Sequence, residues 1–469
     1  MSSAWFGLNT ALRGLVASRA MLDTAAHNTA NASTPGYSRQ RVGLVASPPY
    51  SYPAFNRSGL PGQVGTGVSV ATISRVRDAF LDFQIRGQVS LEGAWTARRE
   101  ELAKVEAIFP EPDPTGLGTV IGRFWDAWSD LAADPTSAAA RSAVLEGAAT
   151  LASRINRDAT QLATITKGIN YQVGQNVGQI NDLAARIAAL NSQIQRVSIS
   201  GDNANDLEDQ RDVLLDELSA IIPTTLQTKA DGTVTVLVGG IDLVTGDRAR
   251  QMTTVASPSG NTDPVWADGS AVLLGESRLG ALVGIRDGRL AGYRTTLDTL
   301  ASTVADAINT LHATGFDATG VAGGAVFTYT AGNAAATLAV SAPLAADTRL
   351  LAAAGAAGQP GNGSIAGAIA DLRRALLFGS GTQTAADAYA GLVGRVGSDS
   401  RQAIEMSRNQ TLVTDHLRQR RESVSGVSLD EEAADMIRFQ RAYLAAARVI
   451  TVVDEMLDTL INRTGVVGR

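Results

Sequence analysis

Ser428-Leu-Asp-Glu-Glu-Ala-Ala-Asp-Met-Ile-Arg-Phe-Gln-Arg-Ala-Tyr-Leu-Ala-Ala-Ala-Arg-Val-Ile-Thr-Val-Val-Asp-Glu-Met-Leu-Asp-Thr-Leu-Ile461 is the stretch that decides the fold of this chain. Its apolar residues step by four and three, which indicates a helix with a heptad seam. The predicted seam consists of Leu429, Ala433, Met436, Tyr443, Ala447, Ile450, Leu457 and Ile461. Ser428 and Glu431 have capping-box spacing, so the start of the helix is encoded locally. Gln440 and Asp454 also fall on this seam, where polar residues usually set register and partner number.

The same helix is apolar on more than one side. Further apolar lines contain Phe439, Ala446, Val453 and Leu460, and then Ile437 and Leu444. One partner helix cannot cover all of these positions, so the pattern indicates a deep core, a membrane or a multi-subunit assembly. Arginines and acids interrupt the segment far more often than a bilayer core of about 20 apolar residues allows. We therefore expect no membrane insertion, and an ordinary intramolecular bundle helix remains the simpler alternative to assembly.

The N-terminal segment has the same spacing. Its apolar line consists of Leu8, Leu12, Leu15, Leu22 and Ala26, with Arg19 at the missing place. The pattern ends before Pro35 and Gly36, which favour a turn. On the C-terminal helix, burying about ten apolar side chains contributes a free energy of roughly 1.5–3 kcal/mol each. This gain is smaller than the entropy cost of ordering its roughly 35 residues, at about 1–2 kcal/mol each. We expect both termini to be frayed in the monomer and to become helical when they pair and meet neighbouring subunits.

Three segments resemble a known family. Leu22 to Arg39, which contains Asn28, Asn31 and Tyr37, is similar to the N-terminal signature of rod, hook and hook-associated proteins of the bacterial flagellum. The segment from Ser425 onward is closer still to the hook-associated protein 1 family, which forms the junction between hook and filament. Asn205 to Leu218 resembles an internal stretch of the same family. The resemblance covers both ends and much of the middle of the chain.

The resemblance implies a structural role without catalysis or cofactors. It implies a ring of identical subunits that contacts hook protein on one side and another hook-associated protein towards the filament, with an export chaperone on the C-terminal helix. We expect flagellar export without a cleaved signal peptide, because Met1 to Phe6 lacks the basic and apolar regions of one, and an extracellular location on the flagellum. The expected self-assembly interface consists of Leu8, Leu12, Leu15, Leu22, Ala26, Asn28, Asn31, Met436, Phe439, Gln440, Tyr443, Ala447, Ile450, Leu457 and Ile461.

Composition agrees with this interpretation. The chain has 469 residues and a net charge of −6, so bulk charge does not favour nucleic acid as a partner. It contains no cysteine, which excludes disulfides and thiolate metal sites. Three histidines, His27, His312 and His416, lack the spacing of a zinc-peptidase helix, and no Gly-x-Ser-x-Gly elbow occurs. We expect a structural or interfacial role for His27.

The middle of the chain predicts a mainly α fold with a β-rich insertion. Helical patterns cover Phe80–Phe109, Leu117–Ala133, Ala138–Ile199 and Asn205–Ile222, and a short strand is predicted from Val64 to Ile73. Thr233–Val238 and Ile241–Val244 flank Gly239 and Gly240, which predicts a hairpin. Phe124, Trp125 and Trp128 have helical spacing and are expected to anchor helix packing, with a ligand cage as the alternative.

We predict four regions. Residues 1–42 and 428–469 form a terminal helical self-assembly region with paired, coiled-coil-like helices. Residues 43–222, 280–314 and 365–427 form an elongated helical shaft with a short β-hairpin. Residues 223–279 form a small β-rich outer domain, and residues 315–364 form a small insertion rich in Gly and Ala. The alternatives are a hook or rod protein, which shares the terminal signatures, and an extracellular enzyme domain carried on a flagellar scaffold.

Overall fold

The computed structural model describes residues 3–49 and 65–463. Helices dominate and the strands form small antiparallel sheets, which confirms the predicted fold class. The α-helices are α1 (Ser3–Asn31), α2 (Ala79–Glu106), α3 (Leu117–Ala133), α4 (Ala138–Ile199), α5 (Asn205–Ile221), α6 (Arg278–Gly284), α7 (Ala291–Ala313), α8 (Ala334–Thr337), α9 (Ala342–Ala346), α10 (Ser364–Asp371), α11 (Ala385–Ser425) and α12 (Leu429–Asp458). The strands are β1 (Gln40–Ala46), β2 (Val68–Arg75), β3 (Thr225–Thr228), β4 (Val234–Val238), β5 (Ile241–Thr245), β6 (Arg248–Ala249), β7 (Met252–Ala256), β8 (Thr262–Trp266), β9 (Phe327–Thr328) and β10 (Ala339–Val340). π-helical turns follow α6 and α12.

The chain divides into two compact units. The first unit contains Met1–Ser90, Gln179–Gln251 and Leu412–Arg469, and the second contains Leu91–Gly178 and Met252–Thr411. The division at Gln251 assigns the sheet β3-β4-β5-β6 to the first unit and the hairpin β7-β8 to the second. The four predicted regions stay a prediction.

The first unit has an apolar core between α2, α5 and α11. Leu81, Ile85 and Val89 are buried there, with Ala220 and Leu417 packed against them. The predicted hairpin is confirmed, because Val238 pairs with Ile241 and both intervening glycines have positive φ, as a two-residue turn of this hand requires. Asn191 of α4 holds the sheet, since its amide donates to Val234 O at 2.8 Å and to Gly246 O at 3.0 Å.

Strands β1 and β2 pair beside α1. They run antiparallel, with an irregularity at Gly43 and Leu44. The predicted strand from Val64 to Ile73 corresponds to β2, which begins at Val68; Val64 lies outside the described residues. Arg13 of α1 donates to Thr66 Oγ1 at 3.3 Å, which joins α1 to the segment before β2.

The second unit is built around buried aromatic and polar side chains. Phe124, Trp125 and Trp128 are buried in α3 and Phe124 also packs on Phe327, which confirms their predicted packing role. His312 is fully buried: its Nε2 accepts from Ala352 N at 2.7 Å, and its Nδ1 lies 2.6 Å from Gly324 O. Burial lowers the pKa of His312, which keeps the ring neutral and each nitrogen bonded. The ring thereby ties the end of α7 to the segment before α10.

Candidate functional site

The terminal helices α1 and α12 pack against each other as an antiparallel pair. A methyl group added at Gly7 would lie 3.7 Å from Val453 Cγ2, and one at Gly14 would lie 3.9 Å from Ala446 Cβ. Asn28 Nδ2 donates to Glu432 Oε2 at 3.2 Å. Each step forward on α1 is thus matched by an equal step back on α12, which sets the register along the whole pair.

The seam combines small side chains on α1 with larger ones on α12. The α1 seam residues repeat at heptad spacing and are Gly7, Ala11, Gly14, Ser18, Met21, Ala25 and Asn28. Those of α12 are buried or half-buried and are Glu432, Met436, Phe439, Tyr443, Ala446, Ile450, Val453 and Leu457. Small residues let the two helix backbones approach closely while the larger side chains fill the space between them.

The structure separates the predicted interface residues into three groups. Met436, Phe439, Tyr443, Ile450 and Leu457 lie on the seam. Asn28 is the last seam residue of α1, at the base of the helix pair, and Asn31 lies one turn further on. The others lie beside the seam and are Leu8, Leu12, Leu15, Leu22, Ala26, Gln440, Ala447 and Ile461.

The residues beside the seam share one side of the helix pair. On α1 each of these residues comes directly after a seam residue, as Leu8 comes after Gly7. In an antiparallel helix pair, the positions that follow the seam on one helix lie beside the positions that follow the seam on the other helix. We call this side the leucine flank; its members are Trp5, Leu8, Leu12, Leu15, Leu22 and Ala26 on α1, Ile437, Gln440, Leu444 and Ala447 on α12, and Ile461 in the π-helical turn that follows α12. Gln440 and Asp454 are exposed, so neither interrupts the contact with α1, contrary to the seam read from the sequence. The contact uses Met436, Tyr443, Ile450 and Leu457 of the predicted seam together with Phe439, Ala446 and Val453, whereas Leu429 and Ala433 of the predicted seam are exposed.

The start of α12 is capped as predicted, but its acids have another role. Ser428 Oγ accepts from Glu431 N at 3.5 Å. The Glu431 carboxylate accepts from Arg39 Nη1 at 2.8 Å, although the capping-box prediction had it reach back to the helix start. Arg39 also pairs with Glu432 at 2.7 Å and Asp435 at 3.7 Å. The first turn of α12 is thereby tied to the segment that follows α1.

Asn28 is the hub of this connection. Its Oδ1 accepts from Gln40 N at 2.9 Å and from Tyr37 Oη at 2.8 Å. Its Nδ2 donates to Gln40 O at 3.0 Å as well as to Glu432. The side chain is only 2% exposed, so all four bonds are shielded from water. Asn28 therefore joins the end of α1, the start of β1 and the start of α12.

The turn between α1 and β1 docks on α5. Ser38 donates to Asp209 from its backbone N at 2.8 Å and from Oγ at 2.7 Å. Gln40 Nε2 donates to Asp206 Oδ1 at 2.7 Å. Gly36 has φ +79° and faces Val213 so closely that no side chain fits there. Burial, with the nearby acids Asp206 and Asp209, raises the pKa of Tyr37, so its hydroxyl stays protonated and available to Asn28.

Arginines surround the acidic face of α5. Arg75 contacts Glu208, Asp209 and Asp212 at 2.7–2.8 Å. Further ion pairs join Arg77 to Asp82, Asp209 and Asp212, Arg86 to Asp212 and Asp216, and Arg421 to Asp82 and Asp216. Burial alone would raise the pKa of Asp212, but the charges of Arg77, Arg86 and Arg75 outweigh it and lower that pKa. The network connects β2, α2, α5 and α11.

The sequence analysis identified the three family-like segments but not that they meet. One face of α5 carries three acids at helical spacing, Asp209, Asp212 and Asp216. This acidic face can be recognised in the sequence and predicts basic side chains opposite it. The sequence does not identify these basic side chains, because Arg75, Arg77 and Arg86 are more than 120 residues away from the acids in the chain. Among the described residues no group of three or more His, Cys, Asp or Glu could hold a metal ion, and no helix is long and apolar enough to cross a membrane.

Comparison with known proteins agrees with this arrangement. The profile described as "Flagellar hook-associated protein FlgK helical domain" matches residues 102–327, and that described as "Flagellar basal body rod FlgEFG protein C-terminal" matches residues 418–463. Flagellar hook-associated protein 1 of Bacillus subtilis is 30% identical over 100% of both chains. The protein of the same name from Escherichia coli K12 is 29% identical over 97% of this chain and 99% of its own.

A solved structure shows the same fold. The flagellar hook junction protein FlgK from Burkholderia pseudomallei superimposes with a TM-score of 0.67, covering 73% of this chain and 100% of that one at 18% identity. The assignment to a family rests on the full-length match to the Bacillus subtilis protein at 30% identity. The chain belongs to the flagellar hook-associated protein 1 family.

Proposed function

We propose that this chain is a structural subunit of the flagellum that forms the junction between hook and filament by assembling into a ring of identical copies. The observation that carries the proposal is the leucine flank. Trp5 is 62% exposed, Leu444 is 59% exposed and Ile461 is 75% exposed, and all three lie on this one side. Large apolar side chains exposed together on one side of a helix pair mark a surface for another protein.

A second apolar strip on α12 favours a ring. Val449, Val452 and Met456 are exposed on the side of α12 away from the leucine flank. Two different surfaces on one subunit suit head-to-tail contacts, which produce rings or helical arrays, whereas a closed dimer uses one surface twice. The predicted interface residues thus divide between an intramolecular seam and a surface for neighbouring copies.

One pair of variants tests the surface. Leu12→Asp places a charge on the leucine flank, and we expect cells with hooks but few filaments, because a buried unpaired charge opposes docking. Asn9→Asp adds the same charge about one turn away on an exposed position outside that flank, and these cells should swim normally. Normal filaments on Leu12→Asp cells would contradict the proposed surface.

Deletion of the gene separates the alternatives. Hooks without filaments are expected for a junction protein, whereas the absence of hooks would identify a hook or rod protein. We further propose hook protein and a second hook-associated protein as neighbours, an export chaperone on α12 in the cytoplasm, and an extracellular place on the flagellum. Family membership supports these partners and this location.

We propose that the protein acts without catalysis. His312 is used inside the second unit, and His27 Nε2 lies 3.4 Å from Asp206 Oδ1 at the turn between α1 and β1. His416 is exposed on α11. Hydrolase activity or stoichiometric bound metal in the purified protein would overturn this part of the proposal.

A further inference from the structure

An open groove lies at the base of the terminal helix pair. Its volume is about 560 Å³, and α1, β1 and α12 all contribute to its walls. Its apolar lining residues include Met21, Val42, Leu44 and Phe439. Its charged lining residues are Arg39, Arg41 and Arg438 together with Glu432 and Asp435, and Arg438 pairs with Asp435 at 2.8 Å. Leu44 is 43% exposed, and Arg438 lies on the side of α12 away from the leucine flank. We call this the base groove.

The opposite end of the helix pair has complementary chemistry. Gly7 faces Val453, so Trp5 is level with the last turns of α12. The exposed ring of Trp5 lies on the same flank as Asp454 and Asp458, which are also exposed. This end, which we call the tip, offers one large aromatic side chain beside two carboxylates. The base groove offers apolar side chains beside three guanidinium groups and two carboxylates, so positive charge is in excess there by one.

We propose that the tip of one copy docks in the base groove of a second copy, with Trp5 against its apolar residues and Asp454 and Asp458 beside Arg41 and beside Arg438, which Asp435 of its own copy also contacts. The inference rests on the proposed self-assembly and specifies its contact. The occupant must come from another copy, because Trp5 and Met21 are 16 residues apart on one straight helix, about 24 Å. Tip and groove lie on opposite flanks, so the contact can repeat from copy to copy, each shifted by about 24 Å along the helix axis.

The absence of native cysteine allows a direct test. Trp5→Cys combined with Leu44→Cys is expressed in a strain that lacks the native gene, and isolated hook complexes are oxidised mildly. We expect a ladder of disulfide-linked copies on non-reducing gels, because these two positions cannot meet within one copy. Trp5→Cys combined with Leu412→Cys, an exposed position of the first unit outside the groove, should give no ladder. The absence of a ladder in the test pair, or an equal ladder in the control, would overturn the docking.

Charge reversal provides a second, independent readout. Asp454→Arg with Asp458→Arg, or Arg41→Glu with Arg438→Glu, should lower the number of filament-bearing hooks about tenfold, because each brings like charges together. Combining all four substitutions should restore filaments. If either pair leaves filaments unchanged, or if the combination does not recover, the docking is wrong. The proposed junction role would still stand in that case, because it depends on the deletion strain and not on these variants.

Discussion

Asp212 is the residue whose loss should damage the first unit most. It accepts ion pairs from Arg75 at 2.8 Å, Arg77 at 3.3 Å and Arg86 at 2.9 Å, and its side chain is 13% exposed. Asp212→Ala leaves three largely buried guanidinium groups short of negative charge. Breaking buried ion pairs in this way costs about 3–5 kcal/mol. Residue-resolved amide exchange measures the effect as the lowered free energy of opening of Asn205–Ile221.

A matched variant gives the scale for this measurement. Asp182 pairs with Arg186 at 3.8 Å on the exposed surface of α4, in the same unit, and both side chains are more than half exposed. Asp182→Ala should therefore change the opening free energy by about 0.5 kcal/mol or less. Equal effects of the two substitutions would refute the idea that the network holds α5 in place.

The lowered pKa of Asp212 also predicts a pH dependence. A carboxylate whose folded pKa lies below its unfolded value near 3.8 stabilises the protein fully above that value. The contribution disappears as the pH falls through the lower, folded pKa. The difference in opening free energy between the native chain and Asp212→Ala should therefore be constant from pH 5 to 7 and shrink below about pH 4. A difference that grew on acidification would contradict the assignment.

Three further predictions follow from other parts of the molecule. Amide exchange on the monomer should show weak protection of residues 8–30 and 430–460, and strong protection there would contradict folding coupled to assembly. Gly36→Ala should destabilise the turn on α5 by about 1–3 kcal/mol, since its φ is +79° and Val213 occupies the space a side chain needs; urea denaturation followed by circular dichroism measures this. Burial raises the pKa of Asp158 to about 6. Because this folded pKa lies above the unfolded value near 3.8, the contribution of the protonated side chain to stability is fully present below about pH 3.8 and is lost as the pH rises through 6. As the pH rises from 4.5 to 7.5, the free energy of unfolding of Asp158→Asn should increase by roughly 2 kcal/mol relative to that of the native chain, as measured by thermal unfolding. The same pH dependence of stability in both proteins would refute this prediction.

Local signals predicted most of the elements. Leu117–Ala133 was predicted with the bounds that α3 has, and Ala138–Ile199 forms one continuous helix. The Gly239-Gly240 hairpin also follows from its residues alone, because glycine accepts the positive φ that the turn requires. These features depend on residues close together in the chain, and their patterns can be read without knowledge of distant partners.

The side of α1 that meets α12 could not be predicted from hydrophobicity. The sequence analysis selected the leucine line, which includes Leu8 and Leu12, because large apolar residues are the usual marker of a seam. The contact instead uses the line containing Gly7 and Gly14, one position away, where small residues allow close approach. A one-residue change turns a helix by about 100°, so the leucine line lies beside the contact, where Leu12 is exposed.

The amino-acid sequence by itself determined the helical class of this protein, the capped start of α12, the hairpin and its membership of a flagellar family, since each depends on short-range spacing or on quotable motifs. Only the tertiary structure decided that Asn28, Asp209 and Glu432 converge at one base and which residues of the terminal helices remain exposed. The physical reason is that hydrogen bonds and ion pairs between residues more than 100 positions apart depend on the packed arrangement of whole helices. No local pattern in the chain encodes those distances.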